Sequence, residues 1–280
     1  MPELPEVETI RRQLDPELRG QQIERVEVLD PRFTRPLVAS SLIDPIAGRV
    51  VRAVGRRGKY LLIELVGDLT AAVHLRMTGN LVIAGRAAPP PPHLRAAFWL
   101  DDGRVLWYTD PRRFGHSILL PDPEMDAYLD ERLGPEPLSA DFTPEYLAAL
   151  AAGRRVPLKS FLLIQSGIAG IGNIYADEAL HRAELHPLAA ALSIKPRHCT
   201  ALHGGIVAAL EEGLANGGAS IDDYRDARGE KGSMQDEFLV HRREGEDCPR
   251  CGAEIRRIVV GGRSTYFCGG CQRRPRARRR

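Results

Sequence analysis

The sequence predicts a multidomain α+β protein: a leading helix, a β-rich first half that reads as a sandwich or barrel, a helical second half, and a C-terminal hairpin module carrying four cysteines. Three observations support this. Between 23 and 120, short runs rich in Val, Ile, Leu and aromatic residues alternate with Gly, Asp and Pro, the punctuation of an all-β unit. From 143 onward the apolar residues switch to helical spacing. Near the end stand two Cys-x-x-Cys pairs, Cys248/Cys251 and Cys268/Cys271. A chain of 280 residues is long enough for about two domains and a sizeable core.

Residues 5–18 set Val7, Ile10, Leu14 and Leu18 on one helical face, with Pro5 suited to a first turn and Arg11 and Arg12 facing out. Strands are expected at 23–29, 49–54, 60–66, 70–75, 96–100, 104–108 and 117–120, interrupted by the tetraproline 89–92, an extended exposed loop. Between 121 and 145 acids outnumber bases eight to one and five prolines occur, which reads as a surface connection. Helices are expected at 144–152, 158–165, 173–185 and 196–214, with Gly204 and Gly205 a weak spot in the last. The stretch 217–232 is rich in Gly and Asp and lacks apolar periodicity, which suits a functional loop. No internal repeat stands out.

Composition narrows the class. The formal net charge is only +2, yet from Cys248 onward ten Arg face one acid, Glu254, so that end carries +9 and residues 1–247 carry −7. No uninterrupted apolar run approaches the roughly 20 residues that span a bilayer. Glu3, Glu6 and Glu8 precede any basic residue, the reverse of a signal peptide, so a cytoplasmic protein is expected. Five cysteines do not make a disulfide scaffold, and in a reducing compartment paired cysteines more often hold metal.

The two Cys-x-x-Cys pairs are separated by sixteen residues. Each two-residue gap lets one tight knuckle aim both sulfurs at one ion, and Zn²⁺ favours four thiolates in a tetrahedron. Runs at 255–260 and 264–267 flank Gly261 and Gly262, so a β-hairpin zinc finger is expected, holding one structural Zn²⁺; two disulfides or a redox site is the alternative. A closed four-sulfur shell leaves no position for chemistry. Arg250, Arg256, Arg257 and Arg263 give the finger a density of cations suited to phosphate, and the tail 273–280 is expected to be disordered and to add nonspecific attraction. Cys199, on a helix, reads as an ordinary buried side chain.

Met1-Pro2 permits methionine removal, which would expose a prolyl secondary amine. An α-amino group titrates at about 7.7 to 8.0, so a useful fraction is neutral near pH 7. Such an amine can attack a sugar C1′ and yield an iminium, and Glu3 beside it could donate or shuttle the proton.

Six features occur here in one order: Pro-Glu-Leu-Pro-Glu-Val-Glu-Thr at 2–9, Gly-Lys-Tyr at 58–60, His-Leu-Arg-Met at 74–77, Asp-Pro-Arg-Arg-Phe-Gly at 110–115, Gly-Ile-Gly-Asn-Ile-Tyr-Ala-Asp-Glu at 170–178, and the cysteine hairpin. Together they closely resemble the bacterial formamidopyrimidine-DNA glycosylases, from Pro2 to Cys271. The resemblance implies an N-terminal catalytic β-sandwich domain at 1–133, a helix-two-turn-helix DNA-binding domain with a lesion-capping loop at 134–240, a zinc finger at 241–275 and a basic tail at 276–280. It implies a monomeric base-flipping enzyme that removes oxidised purines from double-stranded DNA and cleaves abasic sites by β,δ-elimination. Pro2 would be the Schiff-base nucleophile, Glu3 the proton donor, Lys59 a proton donor in β-elimination, and Arg263 a phosphate contact assisting δ-elimination.

By the same resemblance Met77, Arg112 and Phe114 would fill the place of the extruded base and meet the opposite cytosine. His74, His93, Arg154 and Asn173 would contact phosphate, Lys159 would handle the oxidised purine, and 217–232 would be a mobile cap. The turn 170–173 superficially suggests a dinucleotide fingerprint, but no strand precedes it and a third glycine is absent. Ile164 followed by Gln165, Gly167, Val240-His241-Arg242 and Leu94-Arg95 depart from the family's usual residues. An oxidised-pyrimidine glycosylase resembling endonuclease VIII is the alternative, disfavoured by Leu4, Arg112, Phe114 and Lys159; a noncatalytic DNA-binding relative is disfavoured by Pro2 and Glu3.

Overall fold

The computed structural model describes residues 2–35, 38–221 and 223–273, so the basic tail expected at 276–280 lies outside the described residues. The chain forms two compact units, one of Met1–Glu131 with Leu214–Gln235 and one of Arg132–Gly213 with Asp236–Arg280. No helix among the described residues is long and apolar enough to cross a membrane.

The first unit opens with helix α1 (Leu4–Leu18), which buries Val7, Ile10, Leu14 and Leu18 as the periodicity predicts. Full burial of each such side chain contributes about 1.5 to 3 kcal/mol. Eight strands follow: β1 (Ile23–Val28), β2 (Val51–Arg57), β3 (Tyr60–Leu65), β4 (Leu69–His74), β5 (Asn80–Gly85), β6 (Leu94–Leu100), β7 (Arg104–Thr109) and β8 (His116–Pro121). They pair antiparallel into two four-stranded sheets, in the orders β1-β6-β7-β5 and β2-β3-β4-β8. Val26, Leu81, Phe98 and Leu106 from one sheet join Val54, Leu61, Ile63 and Val73 from the other and the apolar face of α1 in one core, which is the sandwich.

Three elements were not anticipated. Strand β5 pairs with β7, and helix α2 (Ser40–Ile46) buries Leu42 and Ile46. The acidic stretch read as a connection begins with helix α3 (Asp122–Arg132), which buries only Met125 and Leu129, one helical turn apart. So narrow an apolar stripe is hard to see among acids and prolines.

In the second unit stand α4 (Pro144–Ala151), α5 (Leu158–Leu162), α6 (Asn173–Arg182) and α7 (Pro196–Ala215), then the hairpin β9 (Ile255–Val260) and β10 (Arg263–Cys268). Helix α4 starts where predicted, with Thr143 accepting from the Tyr146 N–H at 3.1 Å. Helix α7 runs unbroken through Gly204 and Gly205. A Cβ on Gly205 would lie 2.7 Å from the Ala179 carbonyl oxygen, so this glycine permits close helix packing and is not a weak spot.

Candidate functional site

At the start of α1, Pro2 and Glu3 are both buried. Glu3 is the N-cap residue and forms a capping box with Glu6, whose Oε2 accepts from the Glu3 N–H at 2.8 Å. Glu6 is itself only 1% exposed, and its Oε1 accepts from the Ala219 N–H at 2.7 Å. One carboxylate thus ties the N-terminal segment to the start of the 217–232 loop. A Cβ on Gly218 would press against that same Glu6 side chain at 2.8 Å, and Gly218 has φ +82°, so both space and backbone call for glycine there.

The loop belongs to the first unit. The Gln13 side chain donates to Asp226 Oδ2 at 2.7 Å and accepts from the Ala227 N–H at 2.9 Å. The Asn80 side chain likewise donates to the Asp223 carbonyl and accepts from the Arg225 N–H. The Tyr224 hydroxyl shares its one proton between the carbonyls of Glu6 and Gly217, both at 3.2 Å. The expected cap is thus a loop fastened to α1 and β5 by side chains that sequence reading did not single out.

Lys59 sits in the two-residue turn between β2 and β3 and is buried. Arg56 braces this turn by donating to the Gly58 carbonyl at 2.9 Å, and its Nε donates to Glu8 at 3.0 Å. Burial works to raise the Glu8 carboxyl, but hydrogen bonds from Arg11, Arg56 and Arg12 outweigh it and hold the group below the ordinary carboxylate range. The turn bearing Lys59 is therefore anchored to the helix that Pro2 and Glu3 lead into.

His74 ends β4, stacked on His116 at 5.7 Å between ring centroids and edge-on to Tyr60 at 4.7 Å. Burial, reinforced by the charges of Arg76, His116 and Lys59, pushes its pKa down to about 2. The Arg76 N–H donates to His74 Nδ1 at 3.0 Å, so the neutral ring carries its proton on Nε2 and offers a hydrogen-bond donor without a charge. Below about pH 6.5 the unfolded histidine takes up a proton that the native site refuses, so stability falls as pH falls. His74→Gln is expected to lose about 1 kcal/mol less than the parent between pH 7.5 and 5.5, read from urea melts at both values. Equal losses would show that His74 takes up a proton in the native state as readily as in the unfolded chain.

Beyond His74 the site residues of the first unit lie on turns. Met77 is 39% exposed and Phe114 54% exposed. The Arg112 guanidinium lies 4.9 Å above the Phe114 ring. His93 is exposed with φ +62°, at the end of the tetraproline loop.

In the second unit Arg154 is exposed just after α4 and Gly153. Asn173 begins α6 and donates through Nδ2 to the Ser264 carbonyl at 2.9 Å. Ser264 follows Arg263, which is exposed where β10 leaves the Gly261–Gly262 turn. Gln165 supports the glycine turn before α6, accepting from the Gly170 N–H at 3.0 Å and donating to the Ile171 carbonyl at 2.8 Å.

Lys159 corrects an expectation. It is fully buried, and its Nζ donates to Asp177 Oδ1 and to the Asn173 carbonyl, both at 2.6 Å. A buried ammonium needs a counter-charge and acceptors, and these hold it beneath the Asn173 turn, so it does not present itself to a purine. His241, one of the departures, lies with Nδ1 2.8 Å from Asp177 Oδ2 and completes this buried group. Glu178, also buried, accepts from the backbone N–H groups of Leu239, Val240 and His241 and so holds the chain that enters the finger.

The Sγ atoms of Cys248, Cys251, Cys268 and Cys271 converge within 4.8 Å of one another. Cys251 and Cys268 are 3.4 Å apart, and Cys248 and Cys271 3.9 Å. Four convergent thiols fit one Zn²⁺, for which these residues would be the ligands. Gly270 is required in the second knuckle, because a Cβ there would meet Cys251 Sγ at 2.9 Å. Gln272 braces the knuckle, accepting from the Cys268 N–H and donating to the Leu185 carbonyl, both at 2.9 Å.

Three family models match the chain: the formamidopyrimidine-DNA glycosylase N-terminal domain over 1–117, the formamidopyrimidine-DNA glycosylase H2TH domain over 133–225, and a zinc finger found in FPG and IleRS over 245–274. A formamidopyrimidine-DNA glycosylase of Chloroflexus aurantiacus is 48% identical over 97% of this chain and 98% of its own length. One from a Roseiflexus species is 47% identical over 98% of this chain and 100% of its own. Among solved structures, a Lactococcus lactis FPG mutant in complex with Fapy-dG-containing DNA superposes with a TM-score of 0.91 at 37% identity, covering 98% of this chain and 100% of that one. The Lactococcus lactis Fpg in complex with DNA containing an abasic site gives 0.91 at 36%, over 97% and 100%.

Proposed function

The chain belongs to the formamidopyrimidine-DNA glycosylase family, and from that premise we propose that it excises oxidised purines, 8-oxoguanine and formamidopyrimidines, from duplex DNA and then cleaves the abasic site it has made. The observation that carries this reading is the buried Pro2-Glu3 segment, held by Glu6 against the 217–232 loop. The solved complexes of relatives with Fapy-dG and abasic-site DNA support the substrate class.

The neutral Pro2 amine attacks C1′ as the glycosidic bond to the damaged base breaks, and Glu3 moves the protons that this exchange requires. Opening of the sugar gives an iminium between Pro2 and C1′, which acidifies the C2′ proton. Its removal expels the phosphate at C3′, and a second elimination expels the phosphate at C5′, leaving a one-nucleotide gap. Lys59 supplies a proton in the first elimination, and Arg263 neutralises phosphate in the second. No step requires a redox cofactor.

Before this chemistry the base must leave the stack. Met77 and Phe114, exposed apolar side chains on turns, are suited to occupy its place, while the Arg112 guanidinium can donate to the acceptors of the opposite cytosine. His74, His93, Arg154, Asn173 and Arg263 position phosphates, and Lys159 acts at one remove by holding the Asn173 turn. One Zn²⁺ held by the four cysteines folds the hairpin that carries Arg263. We assign catalysis to 1–133, DNA binding to 134–240, a range whose loop at 217–232 returns to the first unit, and the finger to 241–275. The substrate places the enzyme in the cytoplasm, with the nucleoid.

Borohydride is expected to trap a covalent complex with duplex DNA carrying 8-oxoguanine opposite cytosine, and mass mapping to place the link on Pro2. A trapped complex mapping elsewhere would reassign the nucleophile; no trapping on any oxidised purine would remove the lyase reading.

A further inference from the structure

We propose that Asp110 is a positioning residue that sets, before DNA arrives, the geometry of the side chains that replace the extruded base; this rests on the glycosylase reading above. Asp110 is only 1% exposed and lies between the two turns that carry Met77, Arg112 and Phe114. Its Oδ1 accepts from the Thr78 hydroxyl and from the Arg112 N–H at 3.2 Å. Its Oδ2 accepts from the Gly115 N–H at 2.8 Å and from the Tyr108 hydroxyl at 3.3 Å. Thr78 follows Met77, while Arg112 and Gly115 frame the other turn. The Asp110 backbone N–H also donates to the His93 carbonyl at 3.0 Å.

The Tyr108 hydroxyl completes the floor beneath both turns. A Cβ on Gly115 would collide with it, and one on Gly79 would approach it to 2.9 Å, so both glycines let backbone close over the Tyr108–Asp110 pair. Phe33 stacks on the Tyr108 ring at 4.4 Å and holds it in place. Above this floor Met77, Arg112 and Phe114 are exposed. Exposed side chains on turns would otherwise be ordered only on binding, at an entropic cost that a fixed backbone reduces. A carboxylate suits the task because it is acceptor-only and offers about four lone-pair sites, which here meet four donors. An asparagine would turn its NH₂ toward two of them.

The test uses the full-length enzyme, with Asp110→Asn and Thr78→Val. Single-turnover excision of 8-oxoguanine is measured opposite cytosine and opposite adenine in duplex DNA. Cleavage of a single-stranded abasic oligonucleotide, which needs neither extrusion nor an opposite base, is measured beside it. Asp110→Asn is expected to slow duplex excision at least about tenfold and to shrink the preference for cytosine, with single-strand cleavage within about twofold of the parent. Thr78→Val should shift the same way by a few-fold and carries the test if the first variant does not fold.

A purely structural role would lower the melting temperature of either variant without altering the ratio between the two substrates. An equal fall on both substrates, or an unchanged cytosine preference in a folded variant, would overturn the proposal. Failure of the parent enzyme to excise 8-oxoguanine would instead defeat the functional reading beneath it.

Discussion

Blocking the Pro2 amine is expected to abolish base excision and strand cleavage together, each single-turnover rate falling by at least about 10³-fold. Both steps depend on the bond that Pro2 forms to C1′, which displaces the base and then opens to the iminium that drives elimination, so losing the nucleophile removes both, whereas losing a proton donor would slow one more than the other. A single extra residue ahead of Pro2 suffices, because an amide nitrogen cannot attack C1′. The fold should tolerate it: the capping bond uses the backbone N–H of Glu3 and the carboxylate of Glu6, and α1 begins only at Leu4. Matching thermal melts would establish that the blocked protein is intact. If the blocked form still cleaves and still traps, another amine is the nucleophile, and Lys59, buried in a turn anchored to α1 through Arg56 and Glu8, is the first to test.

Removing zinc is expected to weaken binding to lesion DNA at least about 100-fold and to melt the finger while the first unit stays folded. Cys248 and Cys268, which are themselves expected ligands, make up half of the buried cluster they form with Val240 and Ile255, and the hairpin's other buried apolar side chains among the described residues are Val260 and Phe267. So few apolar side chains cannot fold a hairpin alone, and metal binding of about 10 to 16 kcal/mol supplies what the core lacks. The core of the first unit draws on none of these residues. DNA affinity by fluorescence anisotropy, before and after chelation and again after zinc is restored, reads the effect. Unchanged affinity in the stripped protein would mean that the hairpin is not a binding element.

The structure also gives the departures from the family pattern a physical place. His241 joins Lys159 through Asp177, while Gln165, which follows the departing Ile164 and keeps the family's residue, braces the glycine turn before α6. A Cβ on Gly167 would meet the Leu150 side chain at 3.1 Å, and the Gly167 carbonyl oxygen lies where a Cβ on Gly134 would come to 2.4 Å, so Gly134 must be glycine for that backbone to approach. A larger residue at 167 would therefore require Leu150 to yield. None of these positions displaces a residue assigned to chemistry.

Much of this protein was legible before any coordinates. Helix α1, most strands, the β9–β10 hairpin and the four-cysteine set follow from periodicity and spacing, which act over a few neighbouring residues and so leave a trace in the string. Strand β5 and helix α3 left fainter traces: β5 has the apolar run Leu81-Val82-Ile83, and α3 only two buried residues. The Glu3–Glu6 capping pair could have been found from its three-residue spacing. Residue types alone also pointed to an amine nucleophile, a neighbouring acid and a metal-folded basic module.

Tertiary structure alone decided which side chains hold these groups in place. Glu6 meets Ala219 across 213 positions, and Thr78 meets Asp110 across 32. Lys159 turned from a candidate contact into a buried support because Asp177, 18 positions away, neutralises it. Such partnerships are set by where the chain returns in space. A buried carboxylate or ammonium persists only where the fold brings it enough partners to replace water, and no local pattern in the sequence encodes that return.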